Sequence, residues 1–224
     1  MNARQVAYLQ AMGIPVWIQR QLSSPEAGME TVSSEADEWM RLEQEVAACV
    51  KCPLHKSRTQ TVFGVGNKNA DWMLIGEAPG EQEDLQGEPF VGRAGQLLNE
   101  MLRALRLSRE DVYIANILKC RPPANRDPKP EEVAACEPYL KRQIALVQPQ
   151  IILAVGRIAA QNLLKTSQPL SRLRGKIHSY DDIPVVVVYH PAYLLRNPVA
   201  KRQAWEDLKL ALRVYSEKMS VADG

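Results

Sequence analysis

The chain has 224 residues, 46% of them hydrophobic and 24% charged, with a formal net charge of +2 at pH 7. This is the composition of an ordinary globular protein long enough to bury one core, and it excludes a chain disordered throughout or one that binds nucleic acid by overall basicity. Because no run approaches the roughly 20 apolar residues of a membrane span and no basic segment with an apolar signal core opens the sequence, we expect a cytoplasmic protein without a membrane partner.

The first 38 residues differ in composition from the rest of the chain. Residues 4–22, "RQVAYLQAMGIPVWIQRQL", hold scattered apolar side chains but are too few to fold alone, whereas residues 23–38, "SSPEAGMETVSSEADE", have the content of a linker. We therefore expect a partner-docking arm (residues 1–22), a flexible linker (23–38), a main domain (39–216) and a C-terminal tail (217–224). An arm folded back on its own domain is the alternative.

Apolar runs alternate with amphipathic stretches in the main domain. The runs predict strands near residues 72–75, 112–117, 151–155 and 184–189. The amphipathic stretches predict helices near residues 39–49, 95–105, 130–146, 157–164 and 199–215. This alternation predicts an α/β fold, a three-layer α/β/α sandwich around a central, mostly parallel four-stranded sheet.

The segments after the four predicted strands are rich in polar residues, glycine and proline. They read "GEAPGEQEDLQGEPFVGRAGQLL", "NILKCRPPANRDP", "GRIAAQ" and "HPAYLLRNP". Ligands of parallel α/β sheets gather beyond the carboxyl ends of the strands, so we expect these segments to line one cleft. The many acids of the first segment exclude a phosphate-binding loop.

Several side chains in these segments suit a flat ligand that forms hydrogen bonds. The ring of Phe90 suits either stacking on such a ligand or packing in the core. Asn116 offers a donor and an acceptor side by side, as reading a base edge requires, although it suits binding its own loop backbone equally well. In "YHPAYLLRNP" two adjacent leucines cannot both face inward from so short an element, so we expect a contact outside the core.

The four cysteines predict a metal centre. Cys49 and Cys52 form a C-x2-C pair, while Cys120 and Cys136 are separate. In a reducing compartment, one close pair with two scattered thiolates suits a [4Fe–4S] cluster better than zinc, which usually takes two close pairs. Zinc is one alternative, and four buried small apolar side chains are the other.

Four ordered motifs carry a resemblance that covers about residues 42–212. "CVKCPLHKSRTQTVFG", "LIGEAPGEQEDLQGEPFVGRAGQLL", "NILKCRPPANRDPKPEE" and "YHPAYLLRNP" closely resemble the family 4 uracil-DNA glycosylases, bacterial and archaeal base excision repair enzymes that carry a [4Fe–4S] cluster. The resemblance implies a uracil-DNA glycosylase-like fold and a nucleoid-associated bacterial hydrolase. It also implies that uracil is flipped out of DNA and its N-glycosidic bond hydrolysed. A replisome accessory protein that uses an inactive glycosylase fold as scaffold is the alternative.

The resemblance also assigns site residues. It makes His190, Glu77 and Glu83 catalytic, with His190 binding the uracil carbonyl oxygen that gains charge as the base leaves. The remaining implied roles are uracil binding by Gly76, Ala78, Phe90, Asn116 and Asn125, a DNA wedge of Leu194 and Leu195 with Arg196 on a phosphate, and cluster ligation by Cys49, Cys52, Cys120 and Cys136.

One position departs from the better-known uracil glycosylases. Those enzymes carry an aspartate in a "GQDPYH"-like motif to handle the water, whereas Ala78 stands at the matching place here. Family 4 shares this feature. The group that positions the water therefore stays open, with Glu77 and Glu83 as the candidates.

The arm carries a second, shorter resemblance. Residues 4–22 are similar to the N-terminus of the DNA polymerase III psi subunit, which ties the clamp loader to its chi partner. The resemblance implies that the arm docks on the clamp loader or the chi subunit. A short segment with Tyr8 and Trp17 on a flexible linker is typical of a docking peptide.

Overall fold

The computed structural model describes residues 35–222, so the predicted arm and residues 23–34 of the predicted linker lie outside it. The described helices are α1 (Glu35–Ala47), α2 (Glu81–Gln86), α3 (Arg93–Ala104), α4 (Pro130–Val147), α5 (Arg157–Leu163), α6 (Leu170–Leu173), α7 (Pro191–Arg196) and α8 (Lys201–Ala222). The strands are β1 (Val65–Gly66), β2 (Trp72–Gly76), β3 (Val112–Asn116), β4 (Ile151–Val155), β5 (Ile177–Tyr180) and β6 (Ile183–Val188). No helix in this part of the chain is long and apolar enough to cross a membrane.

The strands form one mixed sheet in the order β1-β3-β2-β4-β6-β5. The four predicted strands are its central ones, β2, β3, β4 and β6, and they pair in parallel. The predicted count of four is too low, because β1 and β5 pair antiparallel at the two edges. β1 has only two residues, and β5 is not buried, so neither produces the continuous apolar run by which a central strand is recognised.

Helices cover both faces of the sheet, which confirms the predicted α/β sandwich. Alternate residues of β2 point to opposite faces, so Met73 packs in the cluster that holds the buried residues of α1, α4 and α5, while Leu74 packs with those of α3, α7 and α8. Each parallel strand is followed by a helix on one face. The carboxyl ends of the four parallel strands thus lie along one edge of the core.

Helices α1 and α8 are longer than the sequence pattern predicts. Helix α1 begins at Glu35 instead of residue 39, because three acidic residues in its first turn interact favourably with the helix dipole ahead of the first buried residue, Trp39. Helix α8 continues to Ala222, beyond the predicted end at residue 215 and into the predicted tail. Helices α2 and α6 are absent from the prediction, whereas α7 is the short helical turn that "HPAYLLRNP" allows.

Candidate active site

A cavity of about 870 Å³ opens at the carboxyl ends of β2, β3, β4 and β6. Its position confirms the edge of the sheet at which the sequence predicts a cleft. The predicted site residues that line it are Glu77, Ala78, Glu83, Phe90, Asn116, Asn125, His190 and Arg196. These residues come from three of the four segments, and Gly156, Arg157 and Ile158 of the remaining segment "GRIAAQ" line the cavity as well, so the parallel sheet brings all four together.

Asn116 is a buried polar residue with an unsatisfied acceptor. It ends β3 directly beside Gly76, the last residue of β2, and it is 2% exposed. Its Oδ1 atom is buried and has no hydrogen-bond partner among the described residues. Buried polar atoms are normally hydrogen-bonded, so this side chain is set to bind a ligand that brings a donor. It does not bind its own loop backbone through Oδ1, which was the alternative.

Gly76 leaves the space in front of Asn116 open. A Cβ atom at residue 76 would overlap Asn116 Oδ1 and come within 2.7 Å of Phe90 Cζ. The backbone of β2 therefore forms one wall of the space between the amide and the aromatic ring. Only glycine allows both side chains to keep these positions.

Phe90 is held in an unusual backbone conformation beside the cavity. Its φ is 54°, and it is 7% exposed. The guanidinium of Arg109 donates to the carbonyl of Pro89 at 2.7 Å and to that of Phe90 at 3.2 Å. The ring lies 5.6 Å from that of His190, with an interplanar angle of 31°. Phe90 thus packs in the core and also borders the cavity, where its ring could still stack on a ligand.

His190 is a neutral hydrogen-bond donor at the start of α7. Its Nδ1 accepts from the backbone N–H of Ala192 at 3.1 Å, so in the neutral ring the proton sits on Nε2. The pKa of His190 is lowered to about 4, mainly by burial and also by the charge of Arg196, while Glu83 opposes the shift. The ring stays uncharged at neutral pH and offers Nε2–H to a ligand in the cavity.

The two predicted catalytic glutamates have different environments. Glu83 accepts three backbone hydrogen bonds, from Gly80 at 3.1 Å, Val91 at 3.0 Å and Gly92 at 3.1 Å. Both of its carboxylate oxygens are engaged, so Glu83 positions the loop that carries Phe90, and the catalytic role expected for it is not supported by its contacts.

Glu77 is half-buried at the carboxyl end of β2. The pKa of Glu77 is raised to about 7, mainly by burial and also by the charge of Asp127, while Arg157 opposes the shift. Arg157 also forms an ion pair with Asp127 at 2.7 Å. Near neutral pH the Glu77 carboxyl is therefore poised between its acid and base forms, as a group that handles protons requires.

The four cysteines occupy one region of the core. Cys120 and Cys136 are buried, and Cys49 and Cys52 are partly buried against the same cluster of apolar residues. Their charges act on one another, and burial is the main cause that raises the pKa of Cys136 to about 11. Arg58 donates to Cys120 Sγ at 3.1 Å, and the backbone N–H of Lys119 donates to Cys136 Sγ at 3.3 Å.

The four cysteines are the side chains of this region that could hold a metal centre. Within residues 35–222, no group of three or more His, Cys, Asp or Glu side chains is already arranged to hold a metal ion. The N–H donors at two of the sulphurs are of the kind that surrounds cluster ligands.

Comparison with known proteins identifies the family. Residues 63–209 match the model of the uracil DNA glycosylase superfamily. The chain is 47% identical to the type-4 uracil-DNA glycosylase of Archaeoglobus fulgidus over 74% of this chain and 87% of that protein. It is 44% identical to that of Saccharolobus solfataricus over 80% and 87%, and 46% identical to that of Thermotoga maritima over 69% and 81%. The chain belongs to the type-4 uracil-DNA glycosylases. The resemblance seen in the sequence motifs is thereby confirmed.

The predicted DNA-contacting residues of this type-4 glycosylase separate in the structure. Leu194 is 1% exposed and lies in the apolar cluster that holds the buried residues of α3 and α8, so it is not available as a wedge, and that part of the prediction is wrong. Leu195 is 38% exposed and faces outward. Arg196 lines the cavity. Asn125 lines it as well, but its Oδ1 accepts from Arg121 at 2.8 Å, which ties the amide to its own loop.

Sequence reasoning missed two residues that support the site. Arg109 lies just before β3 and donates to the backbone carbonyls of Pro89 and Phe90. It belongs to none of the sequence motifs. Lys119 lies inside the quoted segment "NILKCRPPANRDP" but was not singled out, because a lysine there reads as an exposed charge. Both act through contacts between distant parts of the chain, which only the fold reveals.

Proposed function

We propose that the protein removes uracil from DNA by flipping the base into the cavity and hydrolysing its N-glycosidic bond, which leaves an abasic site as the first step of base excision repair. The observation that carries this proposal is the buried, unpartnered Oδ1 of Asn116 inside a cavity of base-binding size. Membership of the type-4 uracil-DNA glycosylases supports it independently. An inactive scaffold would not need to keep such an unsatisfied atom.

Asn116 can distinguish uracil from cytosine. The edge of uracil presents the N3–H donor beside the O4 acceptor, and a side-chain amide offers the complementary acceptor and donor. Cytosine presents an acceptor at N3 and a donor at N4, so its edge would place donor against donor and acceptor against acceptor. A site built to bond one edge rejects the other strongly, because the buried groups would be left unpaired.

His190 stabilises the leaving base. As the bond from N1 of uracil to the sugar breaks, its electron pair stays on the base and negative charge develops on the carbonyl oxygens. The Nε2–H of the neutral His190 ring donates to one of these oxygens, while the N–H of Ala192 holds the ring through Nδ1. Phe90 stacks on the base and keeps it in the pocket.

Glu77 acts on the sugar side of the reaction. Bond cleavage leaves a sugar with oxocarbenium character, which an ionised carboxylate stabilises and which water then attacks. Glu77 in its ionised form orients that water, and the water proton passes to the carboxylate and then to solvent. Ala78 has no side chain for this task. Of the other carboxylates that line the cavity, Glu83 is engaged with backbone amides, Asp127 is paired with Arg157 and Glu81 is exposed, so the half-buried Glu77 suits the task best.

Leu195 fills the gap that the flipped base leaves. Extrusion of a base costs a few kcal/mol of stacking, and an apolar side chain inserted in the duplex offsets part of it. Leu195 projects from α7, the helix that directly follows His190, so insertion of the wedge and capture of the base would happen together. Arg196 contacts a phosphate beside it.

Cys49, Cys52, Cys120 and Cys136 hold a [4Fe–4S] cluster. Bound there, the cluster cross-links three distant segments of the chain, and the chemistry it supplies is structural. The spacing supports the cluster over zinc, since one close Cys-x2-Cys pair with two separate cysteines is unlike the two close pairs of a typical zinc site. Iron and acid-labile sulphide in the purified protein, with a brown colour, are expected; bound zinc without iron would refute this assignment.

The arm recruits the enzyme to a partner. Residues 4–22 lie outside the described residues, and their similarity to the psi subunit N-terminus is what supports docking on the clamp loader or the chi subunit. Deletion of residues 1–22 is expected to abolish retention of the protein on immobilised clamp-loader complex. Unchanged retention would instead support an arm that folds back on its own domain.

An oligonucleotide with a single uracil tests the main activity. The protein is incubated with the labelled strand, abasic sites are cleaved with alkali, and the product is resolved by length. Cleavage at the uracil position is expected, with none in an oligonucleotide that carries cytosine instead. An intact uracil strand in the presence of cluster-loaded protein would refute the proposed function and favour the scaffold.

A further inference from the structure

Lys119 lies where the cysteine site meets the base pocket. Its side chain is 1% exposed, and its ammonium donates to the backbone carbonyl of Asn116 at 2.9 Å. Its own backbone N–H donates to Cys136 Sγ at 3.3 Å. This one residue therefore contacts the amino acid proposed to read uracil and a thiol proposed to hold the cluster.

The ammonium is fixed in place by a buried amide. Gln143 Oε1 accepts from Lys119 Nζ at 2.6 Å, and Gln143 Nε2 donates to the carbonyl of Phe63 at 2.9 Å and to the hydroxyl of Tyr113 at 3.1 Å. Because the amide nitrogen is committed to those two acceptors, the amide oxygen must face the lysine. The network thus requires a hydrogen-bond donor at this place, which the lysine side chain supplies.

No carboxylate balances this charge. Both partners of the Lys119 ammonium are neutral, and none of the ion pairs among residues 35–222 includes Lys119. A buried charge without a counter-ion is strongly unfavourable. The neighbouring group that becomes negative when it binds a metal centre is the cysteine site, which Lys119 contacts through Cys136 Sγ. The counter-charge must therefore come from the cysteine site.

We propose that Lys119 is the buried counter-cation of the centre held by the four cysteines and, through the Asn116 carbonyl, a positioning residue for the base pocket. The inference rests on the proposed cluster, since four thiolates around an iron–sulfur core leave the centre with net negative charge. Arg58 reaches Cys120 from the more exposed side. Lys119 alone among these donors also contacts the pocket, so it links retention of the cluster to the geometry of base reading.

Three variants test the two roles of Lys119. Lys119→Met removes both the charge and the donor, whereas Lys119→Gln removes the charge but keeps a donor for the Asn116 carbonyl. Lys141→Met is the matched control, because Lys141 lies on α4 with Cys136 but is exposed and paired with Glu137. For each cluster-loaded protein we would measure the rate of iron transfer to a chelator, the midpoint potential of the cluster, and kcat and KM on the uracil oligonucleotide.

Loss of the cation is expected to weaken the hold on the cluster. Both Lys119 variants should lose iron roughly 10- to 100-fold faster than the wild type, as for other groups that support metal ligands, and should shift the midpoint potential to more negative values. Only Lys119→Met should also raise KM or lower kcat, because Lys119→Gln still holds Asn116. Lys141→Met should match the wild type in every readout.

Iron release and potential in both Lys119 variants equal to those of Lys141→Met would overturn the inference. If Lys119→Met does not fold, Lys119→Gln alone tests whether the positive charge of Lys119 helps to retain the cluster. Wild-type protein that cleaves at uracil yet holds no iron would also overturn it, while leaving the glycosylase function intact. A cluster-loaded wild type that leaves uracil in place would refute the function alone.

Discussion

The backbone N–H of Ala192 donates to Nδ1 of His190 at 3.1 Å, and this single bond determines which ring nitrogen faces the ligand as a donor. It also disfavours a charged ring, since a second proton on Nδ1 would oppose the Ala192 N–H. The prolyl residue between them, Pro191, fixes the start of α7 and so keeps the amide in line.

Replacement of His190 by alanine is expected to lower kcat by about 10²–10³, because one donor to the developing oxyanion is lost. KM should change less, since Phe90 and Asn116 still hold the base. His178→Ala is the control: that histidine binds the carbonyl of Leu173 at 2.8 Å, away from the cavity, and its loss should leave kcat unchanged. The rate of single-turnover cleavage of the uracil oligonucleotide is measured for both variants. An equal loss of rate in His190→Ala and His178→Ala would contradict the role of His190.

The pH dependence of the rate should follow Glu77 and not His190. The raised pKa of Glu77, about 7, means that the carboxyl becomes protonated as the pH falls through 7 and then cannot stabilise the sugar cation. The rate should therefore fall below pH 7, in a step that is absent in Glu77→Gln. No step in the rate is expected near pH 6.5, the ordinary pKa of histidine, because the pKa of His190 is lowered to about 4, mainly by burial.

A matched carboxylate makes this pH measurement specific. Glu131 is exposed near the start of α4, so Glu131→Gln should show the wild-type profile. A step near pH 7 that persists in Glu77→Gln would assign the titration to another group.

The four central strands can be predicted from sequence because they are buried on both faces. Runs such as Ile151–Val155 are apolar at every position. A strand has this pattern when helices bury both faces of its parallel sheet. The edge strand β5 has no such signal, and β1 exists only because Val65 and Gly66 pair with β3. β1 depends on pairing with a distant segment, whereas β5 pairs with the adjacent β6 across a two-residue turn but is not buried, so neither has the apolar run that would reveal it.

The site was predictable to the level of its motifs but not of its contacts. Motifs place Phe90, Asn116 and His190 at strand ends, and the fold brings them together as predicted. They do not reveal that Glu83 is engaged by three backbone amides or that Leu194 is in the core, because both facts depend on how neighbouring segments pack. A motif shows which residue types are present, whereas only the structure shows which contacts each side chain makes.

Alanine at position 76 should block base binding without unfolding the protein. The new Cβ would overlap Asn116 Oδ1 and press on Phe90, which lie on either side of the proposed uracil position. We expect cleavage of the uracil oligonucleotide to be lost and the melting temperature to fall only moderately, since the new Cβ displaces two buried side chains but the backbone at residue 76 is unstrained. A variant with normal cleavage would place uracil elsewhere in the cavity.

Gly175 supplies the opposite control. Its φ is +67°, and no atom lies within 4 Å of a Cβ built there. Gly175→Ala should therefore lower stability through backbone strain and leave cleavage unchanged. The two glycines together separate an effect on the pocket from an effect on the fold.

Adjacent leucines of α7 should give opposite results. Leu195→Ala removes an exposed side chain, so stability should hold while cleavage of duplex substrate falls more than cleavage of single strands, in which no stacked base has to be displaced. Leu194→Ala leaves a cavity in the core and should cost about 2–5 kcal/mol of unfolding free energy. Denaturant unfolding and paired duplex and single-strand assays measure these effects. If Leu195→Ala loses equal activity on duplex and single-strand substrates, the wedge assignment is wrong. Val199→Ala is the control, because Val199 is 92% exposed on the segment that follows α7. It shows whether truncation of any exposed apolar side chain there has the same effect.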